Sequence, residues 1–147
     1  METLTENKKA GFSYSFQEKF EAGISLLGPE VKSAKLGRIN INSAYVSIQK
    51  EEAYLLNASI APYQPNNMPR DYNPTRPKKL LLKRQEIKYL LGKTQEKGLT
   101  LVPIKVYTKK GKIKLEFALA KGKKLYDKRE DIRRRDDILE IARSFKY

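Results

Sequence analysis

The 147 residues include no cysteine, no histidine and no tryptophan. Without cysteine there is no disulfide and no thiolate to hold a structural zinc. Without histidine there is no imidazole ligand, no imidazole acid or base, and no partner to activate a serine. Long apolar runs are missing too. No stretch approaches the ~20 consecutive apolar residues of a membrane span, and no amphipathic segment carries a bulky aromatic face. Met1-Glu-Thr-Leu-Thr-Glu6 is acidic and polar, with no hydrophobic signal core. A cytoplasmic protein with no membrane partner is expected. The adjacent carboxylate pairs Glu51-Glu52 and Asp136-Asp137 remain as candidate catalytic groups, but neighbouring residues point apart on both strands and helices, so neither pair shares a proton. No catalytic, metal or cofactor site follows from the sequence, and a non-enzymatic role is expected.

Positive charge is what the chain has in excess. Lys and Arg number 31 against 17 acidic residues, a formal net charge of +14. Such a balance makes nucleic acid the leading partner class, because cationic side chains displace counterions condensed on phosphate. With 39% hydrophobic and 33% charged residues, the length suits one modest core, or one domain with an appendage.

Period-two alternation recurs along the chain. Phe20, Ala22, Ile24 and Leu26 alternate with Glu21, Gly23, Ser25 and Leu27, a strand that Gly28-Pro29 stops. Pro29 suits the first turn of a short helix reaching Leu36, with Gly37 as its stop and Val31 and Ala34 on its inner face. Ala44, Val46 and Ile48 mark a second strand, and Gln49-Lys-Glu-Glu52 turns into a third over residues 53–56, with Ile60 opening a fourth. The proline-rich stretch 62–77 reads as a long loop. Residues 80–97 read as the best helix, with Leu80, Ile87, Leu90, Leu91 and Thr94 inward, Lys93 and Lys97 in its last turn, and Gly98 as its stop. From Leu99 the strand pattern slips by one residue at Val102-Pro103, which predicts a bulge or an edge. Lys109-Lys-Gly-Lys112 reads as a hairpin turn with Gly111 at positive φ, and Ile113, Leu115, Phe117 and Leu119 then alternate cleanly. About six strands and two or three helices without a βαβ rhythm predict a mainly β fold. The expected form is an OB-like closed six-stranded antiparallel barrel over residues 1–121. Residues 122–147 are expected to be a basic tail, disordered when free.

Three sets of residues are candidates for RNA contact, since cations hold phosphates while rings stack on unpaired bases. The first is the arm with the first strand and helix: Asn7, Lys8, Lys9, Phe12, Tyr14, Glu21, Glu30 and Lys32. The second is Arg76, Lys78 and Lys79 running into three leucines, and the third is the cationic hairpin from Lys105 to Lys114.

The sequence blocks resemble the SsrA-binding protein (SmpB) family, whose RNA is transfer-messenger RNA. The resemblance rests on Asn7-Lys-Lys-Ala10, Phe20-Glu-Ala-Gly-Ile24, Gly28-x-Glu-Val-Lys-Ser33 and Ala61-Pro-Tyr63. Asn73-Pro-Thr-Arg-Pro-Lys-Lys-Leu-Leu-Leu82, Gly92-Lys93, Glu96-Lys-Gly-Leu-Thr-Leu-Val-Pro103, Leu119-Ala-Lys-Gly-Lys-Lys124 and Asp127-Lys-Arg129 follow in order. It implies a barrel that docks on the tRNA-like domain of transfer-messenger RNA, with Asn7, Glu21 and Leu81 at RNA-contacting positions. It implies that Gly122, Lys123, Lys124, Asp127, Lys128 and Arg129 act on the ribosome, the tail becoming helical in the vacant messenger channel at the small-subunit decoding region. Elongation factor Tu is implied as a partner through the charged RNA, with the protein itself a monomer. Gly11, Phe12, Ser13, Pro29 and Tyr126 depart from the usual pattern, Phe12 standing where the family often has histidine. Arg133, Arg134 and Arg135 extend the tail's basic run, and Glu130 with Arg134 and Asp131 with Arg135 are i, i+4 pairs that would support a helix. The expected function is an adaptor that delivers transfer-messenger RNA to stalled ribosomes. The alternative, favoured by composition alone, is a ribosomal protein with a cationic extension.

Overall fold

Strand alternation accounts for most of what the computed structural model shows over residues 2–64, 68–96 and 98–122. The order is β1 (Glu2–Glu6), α1 (Ala10–Ser13), β2 (Tyr14–Ile24), α2 (Gly28–Lys35), β3 (Ile39–Asn40), β4 (Tyr45–Gln49) and β5 (Glu52–Leu56). There follow β6 (Ser59–Ile60), β7 (Lys78–Leu81), α3 (Arg84–Thr94), β8 (Leu99–Lys109) and β9 (Lys112–Gly122). The expected tail motif, Lys123 to Arg135, lies outside the described residues, as do Pro65 and Lys97. Among the described residues no helix is long and apolar enough to cross a membrane.

The fold is mainly β, but the closed six-stranded barrel is corrected. Seven strands form one antiparallel sheet in the order β1-β8-β9-β2-β7-β5-β4, and β3 pairs with β6 in a separate ribbon. Closure would require β4 to ladder onto β8. Instead β1, an acidic and polar segment with no strand pattern of its own, pairs with β8 from Lys105 to Thr108. β4 approaches β8 without pairing to it. The curled sheet still encloses one main core, built from inward residues such as Leu55, Leu80, Leu101, Val106, Leu115 and Phe117. Each such side chain contributes about 1.5–3 kcal/mol by leaving water.

Besides the register shift at Leu4 in the β1–β8 pairing, two bulges shape the core of this sheet. Ile104 is the extra residue of β8 against β9, at the predicted phase slip. Gln17 is the extra residue of β2 against β9. A bulge flips side-chain parity. Tyr14 and Phe16 therefore pack on a small second cluster of Ala10, Val102 and Ala120, while Phe20, Ala22 and Ile24 join the main core. That is why Ala120 is buried although it alternates with the core residues of β9.

The predicted helix over 80–97 is shorter and starts later, at Arg84. Leu80 and Leu81 belong to β7 instead, and Leu91 is exposed rather than inward. Gly98 does stand just beyond the helix at positive φ, 82°. The hairpin between β4 and β5 turns on Lys50 and Glu51, with φ of 47° and 65°. Paired positive φ values suit Asn-Gly and strain other residues. Lys50→Asn with Glu51→Gly is expected to raise the unfolding free energy by ~1 kcal/mol, read as a higher urea midpoint at unchanged slope.

Candidate nucleic-acid interface

β7 decides which residues of the triple leucine and the double lysine reach solvent. Its four residues alternate buried, exposed, buried, exposed. Leu80 therefore enters the core opposite Ile24 and Ala53, while Leu81 stands outside opposite Gly23 with 59% of its surface exposed. An added Cβ on Gly23 would lie 3.3 Å from the Leu81 Cδ1, so the glycine leaves the room in which Leu81 rests. By the same alternation Lys79 is exposed and Lys78 is fully buried. The Lys79 amine reaches Glu52 at 3.3 Å.

Around Leu81 the outer face of the sheet carries cations on both sides of one carboxylate. Gly23 pairs across to Lys114, and Lys109 pairs with Lys112 at the hairpin end. Glu21, two residues before Gly23 and on the same face, accepts a hydrogen bond from the Tyr107 hydroxyl and an ion pair from Lys109 at 3.5 Å. The Tyr107 hydrogen bond, helped by the charges of Lys109 and Lys114, holds its carboxyl below the ordinary value of 4.5. Tyr107 is buried, with the Lys105 amine 5.5 Å from its ring centroid, so it props Glu21 rather than offering a stacking face. Burial pushes the Tyr107 hydroxyl well above its usual range, and it stays a donor. A fixed anion ringed by amines can accept from base amines or a ribose 2′-hydroxyl while the amines hold phosphates, a pairing suited to RNA. Gly23 and Tyr107 belong to this arrangement; Gly23 is in none of the three candidate sets, and Tyr107 lies within the hairpin set without being singled out. The period-two step from Glu21 to Gly23 was the available signal for the glycine.

The second set divides, and Glu30 of the first set joins its buried part. Glu30, wholly buried, accepts the Leu27 N–H at 2.8 Å and closes the first turn of α2. Its two oxygens take the forked guanidinium of Arg76, one bond at 3.1 Å and one shorter, and Tyr72 donates to it at 3.2 Å. Burial acts to raise the Glu30 pKa, but Arg76, the Leu27 N–H and Tyr72 together outweigh it, and the net shift is downward. The Tyr72 hydroxyl, pushed up to about 12 by burial beside Glu30, also donates to the Ile60 carbonyl at 2.8 Å. The Lys78 amine is held by the carbonyls of Ala58, Arg76 and Pro74 at 2.8, 3.0 and 3.3 Å. Burial brings it down to about 8. Glu30 and Arg76 thus fasten the proline-rich loop to α2, Lys78 ties it to the carbonyl of Ala58 between β5 and β6, and the structure brings neither Glu30 nor Lys78 to the surface. Lys32 is exposed on α2, its amine 5.8 Å from the centroid of the Tyr63 ring.

The arm residues sit elsewhere again. Tyr14 pairs with Gly122 at the end of β2 opposite Gly23, about 30 Å along the strand. Lys8 and Lys9 are exposed there, Phe12 and Tyr14 half-buried, and Asn7 buried against the β8 bulge. Glu21, Lys79 and Leu81 are therefore brought together, the arm forms a second patch, and Gly122 is the last described residue.

A family model described as SmpB protein matches residues 4–147. An SsrA-binding protein of Syntrophobacter fumaroxidans is 51% identical over 140 residues, covering 95% of this chain and 86% of the relative. One from Thermosynechococcus vestitus is 44% identical over 146 residues, covering 99% and 96%. A solved structure described as "tmRNA-SmpB: a journey to the center of the bacterial ribosome" superposes with a TM-score of 0.69 at 41% identity, over 88% of this chain and 94% of that one. The chain belongs to the SmpB family of SsrA-binding proteins.

Proposed function

We propose that the protein is a non-enzymatic adaptor that binds the tRNA-like domain of transfer-messenger RNA and brings it to stalled ribosomes in the cytoplasm. The observation that carries this is the outer sheet face, where Glu21 is held anionic among Lys109 and Lys114 beside the exposed Leu81. Pure phosphate attraction needs no carboxylate at its centre, whereas recognition of a folded RNA surface does use one. Membership of the family replaces the alternative of a ribosomal protein with a cationic extension. The protein works as a monomer, with elongation factor Tu joining through the charged RNA. Lys8, Lys9, Phe12 and Tyr14 make a second contact, and the charged segment from Gly122 to Arg135 acts at the vacant messenger channel.

The test is direct binding of transfer-messenger RNA by purified variants. Glu21→Ala is expected to weaken binding about 10-fold, within the ~1–3 kcal/mol of one specific polar contact. Lys112→Ala with Lys114→Ala should lower the salt slope of log K by roughly 1.5–2, the loss of two phosphate contacts. Equal loss of affinity for transfer-messenger RNA and for an unrelated duplex in the Glu21 variant would remove this reading.

A further inference from the structure

β9 lies between β8 and β2, so Tyr107 on β8 and Glu21 on β2 stand two strand spacings apart, about 9–10 Å. Their ladder partners on β9 differ: Tyr107 faces Lys114, and Glu21 faces Glu116. The phenol therefore crosses β9 on a diagonal, and its hydroxyl donates to the Glu21 Oε2. The residue is buried, and the Lys105 amine near its ring also reaches Glu116 at 3.8 Å. Phenylalanine would fill the same space. What tyrosine adds is a hydroxyl taken out of water, and a buried hydroxyl is unfavourable unless it is bonded. Glu21 is the acceptor that bonds it.

Glu21 in turn stands directly opposite a like charge, Glu116, an unfavourable cross-strand pairing. Glu116 is drawn to Lys105 and to Lys19, the latter at 3.9 Å. Glu21 is held by Tyr107 and by Lys109, and both act on Oε2. The Lys109 amine swings on a half-exposed four-carbon stem and pins nothing by itself, whereas the phenol has two torsions and is held by packing. Among the described residues none donates to the Glu21 Oε1. We propose that Tyr107 is a positioning residue for RNA binding: it fixes Glu21 by one oxygen before RNA arrives and leaves Oε1 to accept a donor from the RNA. The proposal rests on the RNA-binding reading of this sheet face and adds to it a residue that acts on affinity without touching the RNA. A glutamate that must be ordered on binding costs affinity, and one ordered in advance does not.

The full-length protein and three variants, Tyr107→Phe, Glu21→Ala and the two combined, would be titrated with transfer-messenger RNA. Tyr107→Phe alone is expected to weaken binding roughly 3- to 10-fold, the cost of ordering one long side chain. The salt slope should stay the same, because no cation is removed. In the Glu21→Ala background the same substitution should change affinity by less than about 1.5-fold, since the residue it acts through is gone. The Glu21 carboxyl carbon, followed by nuclear magnetic resonance in carbon-13-labelled protein, should titrate at higher pH in Tyr107→Phe than in the unsubstituted protein. Lys109, Lys114 and the opposed Glu116 are the same around it in both. Any loss of folding would weaken binding in both backgrounds, so the cycle separates it. Equal loss in the two backgrounds overturns the proposal, as does unchanged binding by Tyr107→Phe while Glu21→Ala is weakened. Unchanged binding by Glu21→Ala would instead overturn the reading beneath it.

Discussion

Arg76→Met is expected to destabilise the protein by about 3 kcal/mol, the lower end of what removing one partner of a buried ion pair costs. For a chain of this length that lowers the melting temperature by on the order of 10 °C. The lower end applies because the Arg76 side chain keeps 29% exposure while Glu30 has none. Methionine preserves the aliphatic stem but leaves the carboxylate facing only the Leu27 N–H and the Tyr72 hydroxyl. The pH dependence separates this from a simple packing loss. With Arg76 in place the folded Glu30 pKa lies below 4.5, so its contribution is complete above that pH and is lost as pH falls through the folded value. Without Arg76, burial dominates, the folded pKa rises above the unfolded one, and protonation relieves the strain. Urea denaturation of both proteins should therefore show a gap that is widest near pH 7.5 and narrows towards pH 4.5. A variant that kept its stability but bound RNA poorly would return Arg76 to the interface.

This network also shows why part of the site was not legible in the sequence. Arg76-Pro-Lys-Lys79 reads as a surface cluster because hydropathy puts lysine outside. Strand alternation overrode that preference for Lys78, and the energetic objection is met by three carbonyls that only the folded loop assembles. The same short run misled the secondary-structure reading: three leucines cannot separate strand from helix, and the helical stripe beyond them captured Leu80. β1 was invisible because Glu2–Glu6 holds a single large apolar residue, Leu4, and pairs at an edge. The β2 bulge was hidden for a subtler reason. Phe16 and Phe20 are an even number of residues apart, so an unbroken strand would put them on one face, and only the extra Gln17 separates them. The β8 bulge, by contrast, announced itself through a proline and a phase slip together. Leu81 was legible in a different way, through family resemblance first and through its outward register second.

Ending the chain after Gly122 is expected to bring peptide tagging on stalled ribosomes to background while leaving transfer-messenger RNA affinity within about threefold. The expectation follows from where the charge resides. Residues 123–147 hold nine cations and six acids, so +3 of the net +14 leaves with them. Most of the long-range attraction to RNA stays with residues 1–122, and exposed charges beyond about 8–10 Å of a phosphate are screened at physiological salt. Gly122 keeps its ladder partner Tyr14, so β9 loses no pairing and the sheet face around Glu21 is unaltered. Binding measured at 50 and 200 mM salt should give nearly the same slope for both proteins, whereas the double lysine variant of the hairpin should not. Tagging assayed on ribosomes stalled without downstream messenger should fail in the truncated protein even at saturating RNA complex. If RNA affinity fell with the tail instead, residues 123–147 would be part of the RNA interface, and the assignment of RNA contact to the sheet would have to be given up. If tagging survived, the decoding region would have to be reached by residues 1–122 alone, and the arm patch at Lys8 and Lys9 would be the surface left to do it.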